Sequence, residues 1–197
     1  MATQAERRAA TRAKLISTSR EHFARNGFDD THTNDILDDI GLSRGALYHH
    51  FGSKQELFEA VFLAASVESV DYAISKGADG ENALESLISS CMAWLRVVRQ
   101  PEVASILIDQ GPRVLGWKRA RELEGKTSFK PMRQALERAV AEDWIQVQSV
   151  ELAARFINAM LTEAAMAGLH SSSRTSIAKI ETLLRQFIQG LRVPISS

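Results

Sequence analysis

Apolar residues recur at helical spacing along most of the chain, and polar residues fill the positions between them. Leu15, Ile16, Ser19 and Phe23 form one inward stripe, which predicts a first helix from about residue 5 to 26. Thr3-x-x-Glu6 can open it as a capping box, and Gly27 can close it with Phe28 folding back onto the last turn. A second helix starts at Thr31, His32 or Thr33 and turns Ile36, Leu37 and Ile40 inward, while Asp35, Asp38 and Asp39 share its other face. Gly41 ends it and Leu42 re-enters the core. Ser43 then caps a very short helix, residues 44–50, with Leu47 as its inward anchor. Phe51 packs, Gly52 turns, and Ser53-x-x-Glu56 opens a fourth helix that carries Leu57, Phe58, Val61, Phe62 and Ala65 to about residue 75.

Lys76-Gly-Ala-Asp-Gly80 is the clearest break. Beyond it the pattern predicts helices at about 82–99 and 101–109, a loop or distorted turn at 110–116, and a helix over 117–142 bent around Gly125 to Pro131. Two more follow at about 150–169 and 177–191, separated by a turn at Ser171-Ser-Ser. Period-two alternation is absent, so the fold class is all-α. The expected division is residues 1–52, with a helix–turn–helix at about 32–51, followed by a larger helical domain over 53–197.

Composition narrows the chemistry. The chain has 197 residues, 45% of them hydrophobic, which is enough for a substantial core. Cys91 is the only cysteine, so an intramolecular disulfide and a cysteine-based zinc site are excluded. The first residues are polar and charged, with no apolar segment of signal-peptide type, and no apolar run is long enough to span a bilayer. The expectation is a cytoplasmic protein with no membrane partner. Formal net charge is zero, yet its distribution is uneven. Residues 1–25 hold six bases against two acids, residues 40–54 add Arg44 and Lys54 with no acid, and five aspartates lie between at positions 29, 30, 35, 38 and 39.

The short third helix is poor core material and good material for a DNA groove. A helix–turn–helix needs two steeply crossed helices, a tight glycine turn and inward anchors on both, a demand that Ile36, Leu37, Ile40, Gly41, Leu42 and Leu47 meet. The second of the pair then presents its N-terminal residues to the major groove. Arg44 can read guanine, a contact worth ~1–3 kcal/mol of discrimination. Ser43 caps, and Gly45 and Ala46 are small enough for close approach. Tyr48, His49, His50 and Lys54 can reach phosphate oxygens, which fix register without reading sequence. Tyr48 is alternatively a core aromatic. The basic first helix is either a DNA contact or a solvated helix start. No third ligand accompanies His49 and His50 at metal spacing, so neither metal nor cofactor is expected.

Residues 42–58, Leu-Ser-Arg-Gly-Ala-Leu-Tyr-His-His-Phe-Gly-Ser-Lys-Gln-Glu-Leu-Phe, together with His22-Phe-Ala-Arg-Asn-Gly-Phe28, resemble the TetR family of transcriptional regulators. The resemblance covers about residues 10–62. It implies a three-helix DNA-binding domain joined by a fourth helix to a helical domain that binds a small molecule and dimerises. It carries a phosphate contact over to Thr33 and not to Asn34, where the family places a base. Thr18-Ser19-Arg20 stands where the family has alanines and leucine, so looser packing is expected there.

The remainder offers no nucleophile–base pair and no glycine-rich phosphate loop, which argues against an enzyme. Its aromatic middle third suggests an apolar pocket with a few polar groups: Trp94, Leu95, Ile106, Asp109, Gln110, Trp117, Phe129, Met132, Asn158 and Thr162. The expected ligand is a small apolar or amphipathic effector. The last two helices carry more apolar surface than a monomer needs, and the family pairs them across a two-fold axis. The resulting expectation is a homodimer on double-stranded DNA at a palindromic operator, acting as a repressor released by ligand. The alternative is a ligand-independent, nucleoid-associated helix–turn–helix protein.

Overall fold

The computed structural model describes residues 3–170 and 177–192, and among them every long element is helical. The expected turn at residues 171–173 lies outside the described residues, as do the side chains of residues 168–170 and 177. The helices are α1 (Gln4–Asp30), α2 (Thr33–Ile40), α3 (Arg44–His50), α4 (Lys54–Gly77), α5 (Ala83–Val97), α6 (Pro101–Ala104), α7 (Gly111–Leu115), α8 (Trp117–Ala141), α9 (Val150–His170) and α10 (Ile177–Gln189). A π-helical stretch, Ser105–Gln110, joins α6 to α7.

Two compact units result, and they interleave along the chain. The first contains residues 1–65 and 101–121, the second residues 66–100 and 122–197. The single boundary at 52/53 read from the sequence differs from this division. Residues 101–121 join the N-terminal helices because α1 packs against both α6 and the π-helical stretch.

In the first unit, Leu15, Phe23, Ile36, Leu57, Phe58, Val61 and Phe62 are wholly buried. Phe23, Phe28 and Phe58 pack as a trio with ring centroids 5.2–5.7 Å apart. Phe28 thus folds back as its position after Gly27 predicts. Gly27 itself has φ +81° and ψ 167°, so the helical path of α1 breaks there in an extended turn rather than the left-handed cap expected. Ser19 occupies a wholly buried site, and its Oγ has no hydrogen-bond partner among the described residues, which carries a desolvation cost.

The 110–116 segment corrects the sequence reading. Gly-Pro suggests a loop, yet it opens α7. Proline at the start of a helix has no N–H to leave unsatisfied. Gly111 also lies where the Phe62 ring approaches, and a Cβ there would sit 2.4 Å from Phe62 Cε2. The helix ends at Gly116, whose φ is +81°.

In the second unit α5, α9 and α10 pack on one another. Leu84, Leu87, Ile88, Cys91, Leu95, Leu136, Ala154, Ile157, Leu184 and Ile188 form its core. Asn82 caps α5 by accepting from the Glu85 N–H at 3.0 Å, and Glu142 accepts from the Ala83 N–H at 3.2 Å. Trp117 and Trp144 are 51% and 39% exposed, so the tryptophans do not gather into one core cluster.

Candidate nucleic-acid interface

The helix–turn–helix is built by caps at every joint. Thr3 Oγ1 accepts from the Glu6 N–H at 3.2 Å and the Glu6 carboxylate accepts from the Thr3 N–H at 2.6 Å, completing the box that opens α1. Gly41 has φ +65° and ψ 37°. Its N–H donates to Asp38 O, and the Leu42 N–H reaches back to Leu37 O at 3.1 Å. That pair of bonds is a Schellman stop, and it sets the angle at which α3 leaves α2. Ser43 Oγ accepts from the Ala46 N–H at 3.2 Å and starts α3. Ser53 Oγ accepts from the Glu56 N–H at 3.0 Å, while the Glu56 carboxylate accepts from the Gly52 N–H at 2.7 Å.

These joints turn one face of α3 inward and leave the other free. Leu47 is 2% exposed and Phe51 4%, so α3 is anchored at its C-terminal half. Ser43, Arg44, Gly45, Tyr48 and His49 are exposed, with Ala46 and His50 half-buried. Tyr48 is 45% exposed, which excludes the core reading of its ring. The Arg44 guanidinium lies 5.7 Å from the Tyr48 ring centroid, so the two stand together on the open face. Thr33, half-buried, opens α2.

The first helix contributes as well. Arg8 and Arg12 lie close enough to His50 to lower its pKa, together with burial, the larger cause, and His49. The Arg12 guanidinium also sits 5.0 Å from the Phe51 centroid. Two basic side chains of α1 therefore flank the end of α3, where sequence spacing could not place them.

Other bases serve the fold. Lys54, expected from the sequence to reach phosphate, lies here on backbone carbonyls. Its ammonium donates to Phe28 O at 2.7 Å, Thr31 O at 2.9 Å and Asp29 O at 3.3 Å, and it lies 4.4 Å from the Phe28 centroid. An ammonium has three donors, and all three are engaged. The stretch from the break at Gly27 to Thr31 presents these carbonyls, and the wholly buried Thr31 hydroxyl holds it to α1 by donating to Gly27 O at 2.6 Å and His22 O at 3.2 Å. Lys14 similarly donates to Ile40 O at 3.3 Å, where the α2 carbonyl end favours a cation. The aspartates pair with partners the sequence did not suggest. Asp39 meets His22 Nε2 at 2.7 Å, and Asp29 pairs with Arg113.

Comparison with known proteins decides the family. Residues 15–61 match the model described as "Bacterial regulatory proteins, tetR family", and residues 84–191 match "Tetracyclin repressor-like, C-terminal domain", which alone spans more than half the chain. The chain belongs to the TetR family. Members of this family are DNA-binding transcriptional regulators. A TetR-family transcriptional regulator from Pectobacterium atrosepticum has the same fold, with TM-score 0.85 and 27% identity over 99% of this chain and 100% of that one. The Escherichia coli K12 regulator UidR is 28% identical over 142 residues, 61% of this chain and 70% of that protein. The Escherichia coli K12 protein named "Probable acrEF/envCD operon repressor" is 43% identical over 53 residues, 27% of this chain and 24% of its own length.

The effector residues expected from the sequence stand in both units of this TetR-family chain. Ile106, Asp109, Gln110 and Trp117 belong to the first, and Trp94, Leu95, Phe129, Met132, Asn158 and Thr162 to the second. Leu95 and Ile106 are wholly buried core. Gln110 Nε2 donates to Phe23 O at 2.9 Å and to Ser105 Oγ at 2.7 Å, while its buried Oε1 has no hydrogen-bond partner among the described residues. Asp109 is exposed. Arg121 covers the Trp117 ring and Arg155 the Phe129 ring. Asn158 Nδ2 donates to Ser128 Oγ at 3.4 Å, and the Thr162 hydroxyl to Asn158 O at 3.0 Å. Met132 and Trp94 are half-buried.

Proposed function

We propose that this regulator is a homodimeric repressor that binds a palindromic operator in double-stranded DNA and is released by a small-molecule effector. The observation that carries the reading is the open face of α3. Arg44 and Tyr48 stand together in solvent, while Leu47 and Phe51 hold the helix from behind. Arg44, in the first turn, is the base-reading residue; Thr33, Ser43, Gly45, Ala46, Tyr48, His49 and His50 border the groove contact. Dimerisation is supported by large apolar side chains in solvent at i, i+4 on the last two helices: Leu152 and Phe156 on α9, Leu183 and Phe187 on α10. A two-fold dimer places paired recognition helices on half-sites about one DNA turn, ~34–36 Å, apart or a multiple of it.

Release by ligand requires differential affinity of ~1–3 kcal/mol between two arrangements of the dimer. The test is selection of bound fragments from genomic DNA by purified protein, repeated with Arg44→Ala. The expected result is a palindromic site whose preference collapses in the variant while the variant stays folded. Unchanged site preference in Arg44→Ala would remove the base-reading role. Enrichment of bent or AT-rich DNA without a common site would favour the nucleoid-associated reading.

A further inference from the structure

The second unit contains a groove that the DNA-binding machinery does not use. It lies between the end of α4, α5 and α10, with a volume of about 790 Å³, within the ~300–1,000 Å³ of small-molecule sites. Met92 and Ala93 supply apolar atoms to its lining and are themselves largely covered, 3% and 5% exposed. Tyr72 forms a wall, 44% exposed. Its charged lining is Lys76, Arg96 and Arg185 against Glu181 alone.

The cations are differently engaged. Arg96 Nε and Nη2 donate to the two Glu181 oxygens at 2.8 and 2.6 Å, which ties α5 to α10. Arg185 Nη1 donates to Glu85, outside the groove lining, at 2.9 Å. A guanidinium has five N–H donors, so both arginines retain donors for a further acceptor. Lys76 has no acidic partner among the described residues and sits 5.5 Å from the Tyr72 ring centroid. An uncompensated ammonium thus borders an aromatic wall and apolar lining atoms.

We infer that this groove is the effector site and that it takes a small amphipathic carboxylate, its anion on Lys76 and Arg185 and its apolar body against Tyr72, Met92 and Ala93. The inference rests on the ligand-responsive reading above. A bare phosphate or sugar phosphate matches less well, because Met92 and Ala93 offer no donor to it. Occupancy bears on α10 directly. The incoming carboxylate sits beside the Arg96–Glu181 pair that ties α5 to α10, and α10 presents Leu183 and Phe187, the proposed dimer contacts, next to the groove residues Thr182 and Gln186.

The probe is 2-naphthoate, with 2-naphthamide as its uncharged counterpart, titrated into the full chain by calorimetry and by backbone amide NMR. Naphthoate is expected to bind at least about tenfold more tightly than naphthamide, the equivalent of one charge-assisted contact. It should shift amides of Tyr72, Met92 and Thr182, and Lys76→Gln should weaken it about tenfold without changing the melting temperature. No binding at roughly millimolar naphthoate, equal affinity for the amide, or shifts confined to other residues would overturn the inference. The same protein is tested on genomic fragments. Operator binding without a groove response rejects this site and leaves the regulator; absence of operator binding rejects the regulator itself.

Discussion

Lys54→Met separates structural from DNA-contact roles for a base beside the recognition helix. The wild-type ammonium donates to three carbonyls, two of them in part-buried bonds, and lies over the Phe28 ring. Methionine keeps the aliphatic stem and removes the charge and every donor. Each part-buried bond from a charged donor contributes on the order of 1 kcal/mol after discounting for solvent, and the cation–π contact about 0.5 kcal/mol more. The exposed bond to Asp29 adds little, because water replaces it. The expected loss is therefore about 2–3 kcal/mol, read as a melting temperature lower by roughly 4–10 °C for a chain of this size. Circular dichroism melts measure it. Operator titrations across salt, performed well below the variant's melting point, give the second readout. Loss of a phosphate contact would lower the magnitude of the salt slope by about 1 per protomer, whereas a turn-closing lysine leaves it unchanged. An unchanged melting temperature with a flattened slope would refute the carbonyl geometry as the role of Lys54.

Three further outcomes follow from burial and charge. Phe156→Glu combined with Phe187→Glu places carboxylates at side chains 65% and 55% exposed, so the monomer should stay folded while sedimentation shows the dimer dissociating; an unchanged mass would relocate the interface. The Cys91 thiol, wholly buried, is pushed up to about 12, so it should resist aromatic disulfide reagents at pH 8 until denaturant is added, and fast native labelling would contradict its burial. His50 has its pKa lowered from 6.5 by burial first and then by His49, Arg8 and Arg12. The folded state therefore prefers the neutral ring, a contribution present above 6.5 and lost as pH falls through the lowered value; an NMR titration midpoint at or above 6.5 would contradict this placement.

Local chemistry was legible in the sequence wherever one residue type decides a joint. Thr3 with Glu6, Gly41, Ser43, and Ser53 with Glu56 all close helix ends as their spacing predicts, because caps depend on neighbours within a few positions. The open face of α3 was legible for the same reason. Long-range partners were not. Nothing in the order of residues shows that Thr31 turns back on α1, that its turn presents carbonyls to Lys54, or that Gln110 clamps onto Phe23, 87 positions away. Gly111-Pro112 misled because the same dipeptide that breaks a chain can open a helix, and the Phe62 ring that leaves no room for a side chain at Gly111 lies far away in the sequence. The groove was missed because its charges come from α4, α5 and α10, spread over more than a hundred residues, and no single stretch carries its pattern.

The same redistribution of charge sets the expected strength of DNA binding. Of the bases in residues 1–54, Lys14 and Lys54 hold backbone carbonyls and Arg20 pairs with Glu102 at 2.6 Å. Asp29 and Asp39 have protein partners of their own, which keeps part of the acidic run from acting as bare charge beside α3. Of the remaining bases, those with an interaction near the reading face are Arg44 and, flanking His50, Arg8 and Arg12. With Arg44 assigned to a base, the two phosphate-directed charges per protomer, Arg8 and Arg12, make about four per dimer, and a slope near −0.9 per neutralised phosphate gives roughly −4 in log K against log salt. A monomer would have half that slope and half the contacts, so under the proposed homodimeric reading a chain of zero net charge depends on its two-fold partner to hold an operator. Measuring the slope for the wild type and for the Phe156→Glu, Phe187→Glu double variant tests the argument. A wild-type slope well beyond about −4 would mean that cations outside this set reach the phosphates, and equal slopes in the two proteins would mean that the α9 and α10 surfaces do not assemble the DNA-bound form.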